Sequence, residues 1–178
     1  MSHKNVLRIT VSSLCLALAL TLPFLTGQLP TLGSMLLPMH IPVLLCGFLC
    51  GWAWGLGVGV VAPLLRSVTF GMPPLFPTAV CMAVELAVYG AACGLMHRIM
   101  PKNKAYVYVS LLVAMVAGRV AWGFAMLLCM GVKGNPFTFS AFISGAVLNA
   151  IPGIILQIIL VPVLVMALDN KRILNLSD

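Results

Sequence analysis

Charge is scarce in this 178-residue chain, and acid scarcer still: 7% of residues are charged, and only three of them, Glu85, Asp169 and Asp178, are acidic. Soluble domains carry roughly 25% charged residues, so too little polar surface exists here to cover a soluble globule. The phosphate-binding GxxxxGK[ST] loop, the HExxH zinc motif, a Ser/His/Asp set and any CxxC or Cys/His spacing are also missing. Soluble enzymes, nucleic-acid binders and disordered tails are thereby excluded, and an autonomous ATP-driven pump has no site for its nucleotide. No long inverted repeat of the kind used by many secondary transporters is detectable either.

What the chain has is apolar sequence: 62% of residues are hydrophobic and the mean hydropathy is +1.14. A membrane-spanning helix takes about 20 residues, so this length predicts an all-α integral membrane protein, a compact bundle of six transmembrane helices with short loops. The expected helices cover about 6–25, 40–50, 56–70, 78–97, 105–130 and 139–168, all within one membrane domain spanning 1–178. The N-terminal basic residues followed by Ile9 to Phe24 have the outline of a signal peptide, but no small-residue cleavage site follows. The segment reads as a retained first helix.

The net charge of +7 is explained by topology. Lys4 and Arg8, then Arg98, Lys102 and Lys104, then Lys171 and Arg172 cluster at helix ends, as the cytoplasmic bias of Lys and Arg requires. Six spans then place both termini in the cytoplasm. The six cysteines, Cys15, Cys46, Cys50, Cys81, Cys93 and Cys129, lie inside apolar runs and read as small packing residues, although Cys46 and Cys50 share a helix face. No metal or cofactor is expected.

Three irregular segments fall on the outer side: Thr26 to Met39, Gly71 to Pro77, and Gly131 to Thr138. Lipid cannot satisfy irregular backbone, so such segments are buried in protein or line a cavity. They are expected to cap a binding pocket. The stretch Gly51 to Gly55 reads as a turn at the membrane interface, which leaves the second and third helices short.

Ionisable side chains inside spans are expensive and face a bundle interior or a watery cavity, which singles out Glu85 and Arg119. Counted from the outer helix ends, they lie about 7 and 12 residues in, or roughly 10 and 18 Å, an offset that a long Arg side chain bridges. Two readings stand side by side: an ion pair holding two helices in register, and a pair facing a polar ligand. Arg66 and Lys133 lie where snorkelling to headgroups is the plain reading, with Arg66 the better candidate for a ligand contact. His40, at the start of the second helix, should share its level. Asn149, three residues before Pro152, either contacts ligand or bonds freed backbone, and Gln157 adds another uncharged hydrogen-bonding group. Small residues recur at four-residue spacing: Ser13, Ala17 and Thr21, then Gly47, Gly51, Gly55 and Gly59, then Gly90 and Gly94 with Ala87 and Ala91. Such faces let helices approach closely, within the chain or against a partner.

The small six-span chain, the Ser13/Ala17/Thr21 face and the stretch Met39-His40-Ile41-Pro42-Val43-Leu44-Leu45-Cys46-Gly47-Phe48-Leu49-Cys50-Gly51 resemble the substrate-binding S components of energy-coupling factor (ECF) transporters, the prokaryotic vitamin importers. The Met39–Gly51 stretch is similar to riboflavin- and pantothenate-type members. The segment from Pro63-Leu64-Leu65-Arg66-Ser67 to Gly71-Met72-Pro73-Pro74 is similar to members proposed to carry pyridoxine-like vitamins. The resemblance implies a substrate-capture subunit with no enzymatic activity, in a prokaryotic cell membrane. It implies an outer pocket closed by the loops after helices one, three and five and lined by helices four to six. It also implies docking of the first helix, through Ser13, Ala17 and Thr21, on a membrane coupling subunit that carries two cytoplasmic ATPases. The first helix departs from a clean Ala-xxx-Ala pattern, with Ser13 and Thr21 flanking Ala17.

A small water-soluble vitamin is thus the expected ligand, a pyridoxine-type compound ahead of pantothenate or riboflavin. His40, Arg66, Glu85, Arg119 and Asn149 are expected to supply polar contacts, and Phe76, Trp122 and Phe137 an apolar or stacking surface. Two alternatives remain at this point: a membrane enzyme using Glu85 as an acid or base, for which no second catalytic group stands at a fitting spacing, and an ion-coupled carrier using Glu85 and Arg119.

Overall fold

The computed structural model describes residues 3–26, 35–101, 103–134, 136, 138–146 and 148–169, and shows no strand among them. Helix α1 covers His3–Thr21 and continues as a 3-10 turn over Leu22–Thr26, where Pro23 cannot extend the α-helical ladder. Helix α2 covers His40–Cys50, with Pro42 in its first turn where the missing N–H costs nothing. Helix α3 runs Trp52–Phe70, α4 Val80–Ile99, α5 Lys104–Val132, α6 Phe139–Ala146 and α7 Ile151–Asp169. Among the described residues, five stretches are long and apolar enough to cross a bilayer: Lys4–Leu25, Trp52–Phe70, Leu75–Ile99, Lys104–Val132 and Phe139–Leu168.

Helix α2 is the exception. Its 11 residues give roughly 16 Å of helix, about half of a hydrocarbon core, and every one of them is buried. It is the centre of the bundle, packed by α1, α3, α4 and α7. The third helix, expected to be short, is a 19-residue span beginning at Trp52. The stretch Trp52 to Gly55 is helical because one residue reverses the chain: Gly51, at φ 95°, takes a conformation open to glycine, and its N–H closes on the Gly47 carbonyl.

Two further expectations are corrected. The proline-rich Gly71 to Pro77 segment does not stay irregular to its end, since Leu75–Ala79 winds into a wide turn that leads into α4, with only Phe76 extended (φ −125°, ψ 129°). The last span is not one helix. It divides into α6, a 3-10 turn at Leu148–Ala150 and α7, breaking just before Pro152.

Interhelical contacts fix direction. Cys50 Sγ donates to the Arg8 carbonyl and Arg66 reaches the Leu20 carbonyl, so α1 runs antiparallel to α2 and parallel to α3. Gly59 lies against Leu86, Gly55 against Gly90 and Gly94 against Trp52, which makes α3 and α4 antiparallel. One end of the bundle therefore holds Leu20, His40, Arg66 and the start of α4; the other holds Arg8, Cys50, Trp52 and Arg98.

Glycine makes that packing possible. A Cβ on Gly47 would stand 2.5 Å from the Gly90 carbonyl oxygen, and one on Gly90 2.3 Å from the Gly55 carbonyl carbon. The small-residue stripes of α2, α3 and α4 thus form an internal three-helix seam. On the outside, large apolar side chains such as Val116, Phe124 and Leu128 of α5 and Ile155 and Ile159 of α7 stand exposed, as a lipid-facing surface requires.

Candidate functional site

Helix α2 delivers His40 into the bundle. Its backbone N–H donates to the Leu37 carbonyl at 3.1 Å, closing a turn in which Leu37 takes φ 50°. The ring then points at α4, where Nε2 lies 3.4 Å from Glu85 Oε1. From the opposite side Arg119 of α5 brings Nη1 to 2.9 Å from the same oxygen. Glu85 and His40 are 2% and 1% exposed and Arg119 13%, so one buried carboxylate joins three helices.

Tyr89 completes the group. It follows Glu85 by four residues, hence on the same face of α4, and meets the His40 ring edge-on at 5.1 Å. Its own ring fills a notch at Gly118, where a Cβ would come within 2.2 Å of Tyr89 Cδ2. Neighbouring residues of α5 thus provide both the space for Tyr89 and the cation for Glu85.

The group is close-packed in charge but poor in directed hydrogen bonds. Both His40 nitrogens, Glu85 Oε1, the Tyr89 hydroxyl, and Arg119 Nε and Nη2 are buried without an aligned hydrogen bond, although the Tyr89 hydroxyl is near enough to the Arg119 guanidinium to interact with it, and both amide atoms of Gln157 on α7 are likewise unpaired. The Glu85–Arg119 approach is a charge contact rather than an aligned hydrogen bond, and His40 Nε2 stands near the same oxygen without making one. Buried polar atoms are almost always satisfied, and leaving them otherwise costs free energy. A concentration of unpaired donors and acceptors around an ion pair is what a polar ligand would complete.

Trp122, one turn outward of Arg119, stacks on Phe142 of α6 at 6.3 Å and 29°, with Gly145 giving room for the indole. It also packs against the small apolar cluster of Cys81, Ala125, Met126 and Cys129. Arg66 lies farther out, since Gly59 opposite Leu86 sets it near the level of Ala79. There it is buried, bonded to the Leu20 carbonyl and stacked over Phe24 (4.9 Å) and Phe70 (5.4 Å). Its visible work is to cap the C-terminus of α1, where the helix dipole favours a cation.

Phe76 is 42% exposed, with Lys133 Nζ 5.4 Å from its ring centre, so the segment after α3 touches the end of α5 at the end of the bundle that holds His40 and Arg66. Asn149 is exposed in the 3-10 turn before α7. Phe137, and residues 27–34 of the first expected loop, lie outside the described residues. Helix α1 turns Ser12, Cys15 and Ala19 inward and leaves Ser13, Ala17 and Thr21 exposed. The Thr21 hydroxyl donates back to the Ala17 carbonyl at 2.9 Å, so that face is small and nearly apolar.

Sequence reasoning thus finds His40, Glu85 and Arg119, which the fold brings together, and misses Tyr89 and Gly118. The four-residue step from Glu85 to Tyr89 was the available signal for the first; the notch at Gly118 had none.

Against known proteins, the family model of the ECF transporter substrate-specific component matches residues 7–165. No curated protein and no solved structure matches the chain.

Proposed function

The chain belongs to the family of ECF transporter substrate-specific components, and on that footing we propose that it captures a small water-soluble vitamin of pyridoxine type, ahead of pantothenate or riboflavin, at the His40–Glu85–Arg119 group. As a member of the family it is a multi-pass membrane protein and a binding and transport subunit, not an enzyme. It works with an ECF module of a membrane coupling subunit and ATPases, on a small-molecule substrate.

The observation that carries the proposal is the buried carboxylate shared by His40 and Arg119, ringed by polar atoms that the protein leaves unpaired. A vitamin bearing hydroxyl and ring-nitrogen groups supplies the missing partners, and no covalent step is needed. Trp122 gives it a stacking wall. Phe76, Asn149 and Arg66 stand, in this reading, at or near the entrance, with Arg66 acting by holding the end of α1 in place.

The end of the bundle holding His40 and Arg66 is assigned to the outside of a prokaryotic cell, and the end holding Arg8 and Arg98, with both termini, to the cytoplasm. The grouping of Lys and Arg supports this. The exposed Ser13, Ala17 and Thr21 face is assigned to the coupling subunit, which carries two cytoplasmic ATPases.

Titration of the detergent-purified protein with pyridoxine, pantothenate and riboflavin, followed by tryptophan fluorescence with a Trp122→Phe control, tests the reading. A saturable change lost in the control supports it; no response to any of the three contradicts it.

A further inference from the structure

Gln157 of α7 is a fully buried side chain with hydrogen-bonding capacity, it is 0% exposed, and neither its N–H groups nor its carbonyl oxygen has a partner. Its position is not accidental. Gly153, Gln157, Val161 and Val165 repeat every four residues and are all buried, so they form the inward stripe of α7. At the outer end of the stripe Gly153 sits against the backbone of Met35 and Leu36, where a Cβ would meet the Met35 carbonyl oxygen at 2.6 Å. Val161 and Val165 at the other end join the core built around α2. Gln157 is thus one turn inward of the Met35 contact, and His40 opens α2 just after it.

Resting on the vitamin-capture reading above, we infer that Gln157 is a specificity-determining residue of the same site, and that the buried end of the ligand is neutral overall and carries both a donor and an acceptor. Two physical arguments converge. An amide offers N–H and C=O at once, so the group that satisfies it must accept and donate, as a hydroxyl or a protonated ring nitrogen beside an oxygen does. The ion pair of the proposed site leaves no charge to neutralise, because Glu85 and Arg119 offset each other at 2.9 Å. A ligand carboxylate or phosphate placed here would be buried without a free cation, which burial penalises heavily. A hydroxymethyl-bearing heteroaromatic compound fits; pantothenate, with its carboxylate, and a phosphorylated vitamin do not fit by those groups.

The test is calorimetric titration of the purified full chain with pyridoxine, pyridoxal 5′-phosphate and pantothenate, in the wild type and in Gln157→Met, alongside the melting temperature of each protein without ligand. The wild type is expected to bind pyridoxine in preference to both anions. Gln157→Met is expected to weaken pyridoxine binding about tenfold or more, since a bond to a buried group is lost, while melting no lower than wild type, because an unpaired amide has been replaced by an apolar chain of similar length. A merely tolerated glutamine would give the melting result without the loss of affinity. Binding by Gln157→Met within about twofold of wild type overturns the assignment, and tighter binding of either anion overturns the neutral-ligand class. If the methionine variant does not fold, Gln157→Asn, which draws the amide back by one methylene, is expected to show the same loss, and unchanged affinity there overturns the assignment equally. A wild type that binds none of the three compounds overturns the capture reading itself, and this inference with it.

Discussion

Arg119 Nη1 lies 2.9 Å from Glu85 Oε1, yet Nε and Nη2 of the same guanidinium have no hydrogen-bond partner. An arginine recruited only to neutralise a carboxylate would more often present two nitrogens in a fork. Here one nitrogen holds the acid and two make no aligned hydrogen bond, an arrangement in which the pair ties α4 to α5 and, in the proposed reading, also presents donors to a ligand.

That double role separates by mutation. Arg119→Met strands a buried carboxylate and should lower stability by about 3–5 kcal/mol, with ligand affinity lost as well. Adding Glu85→Gln removes the stranded charge and should restore most of the stability while affinity stays at least about tenfold weaker. Chemical denaturation and ligand titration of the single and double variants check this. Recovery of both together would leave the pair with a purely structural role.

The glycine seam has no slack. Gly90→Ala would place a methyl 2.3 Å from the Gly55 carbonyl carbon, and since the obstacle is backbone it cannot swing aside. Overpacking of this kind costs about 1–3 kcal/mol or more. Gly57, in the same α3 helix but with nothing within 4 Å of the added methyl, should accept alanine with a gain of about 0.5–1 kcal/mol. Melting temperatures of the two variants should move in opposite directions.

Arg66 should behave as a cap. Arg66→Met removes the bond to the Leu20 carbonyl and the stacking on Phe24 and Phe70, and a charged hydrogen bond of this sort is worth about 1.5–3 kcal/mol. Hydrogen exchange should rise at the end of α1 around Leu20 and Thr21, while amides of α4 and α5 keep their protection.

The exposed face of α1 gives the opposite pattern. Ala17→Leu and Ser13→Leu touch no buried group and should leave both melting temperature and vitamin binding by the isolated subunit unchanged. Co-purification with the coupling subunit, and uptake, should fall, because bulk on a small-residue face holds helices apart. Unimpaired assembly of both variants would remove α1 from the interface.

Much of the fold is legible in the sequence because the membrane simplifies it. Glu85 and Arg119 announce themselves as ionisable groups inside apolar runs, Pro42 marks the start of α2, and the basic turn at Arg98 separates α4 from α5. The illegible parts depend on distances between helices. That Gly51 alone reverses the chain, and that Trp52 to Gly55 is therefore helix, follows from the fit of Gly55 against Gly90, which no local pattern encodes. The work of Arg66 depends on where α1 ends beside α3. Tyr89 could be placed on the face of Glu85 by counting, but its lodging against Gly118 could not, since a glycine in a helix gives no hint of what fills the space beside it.

The central claim is capture of a vitamin at the Glu85–Arg119 group, and it is tested most directly by denaturing the detergent-purified protein and identifying the released small molecules by mass spectrometry, for wild type and for the Glu85→Gln/Arg119→Met double variant. The account predicts a stoichiometric water-soluble vitamin from the wild type and little or none from the folded variant. Equal amounts from both, or no vitamin from a wild type purified from vitamin-replete cells, would contradict it.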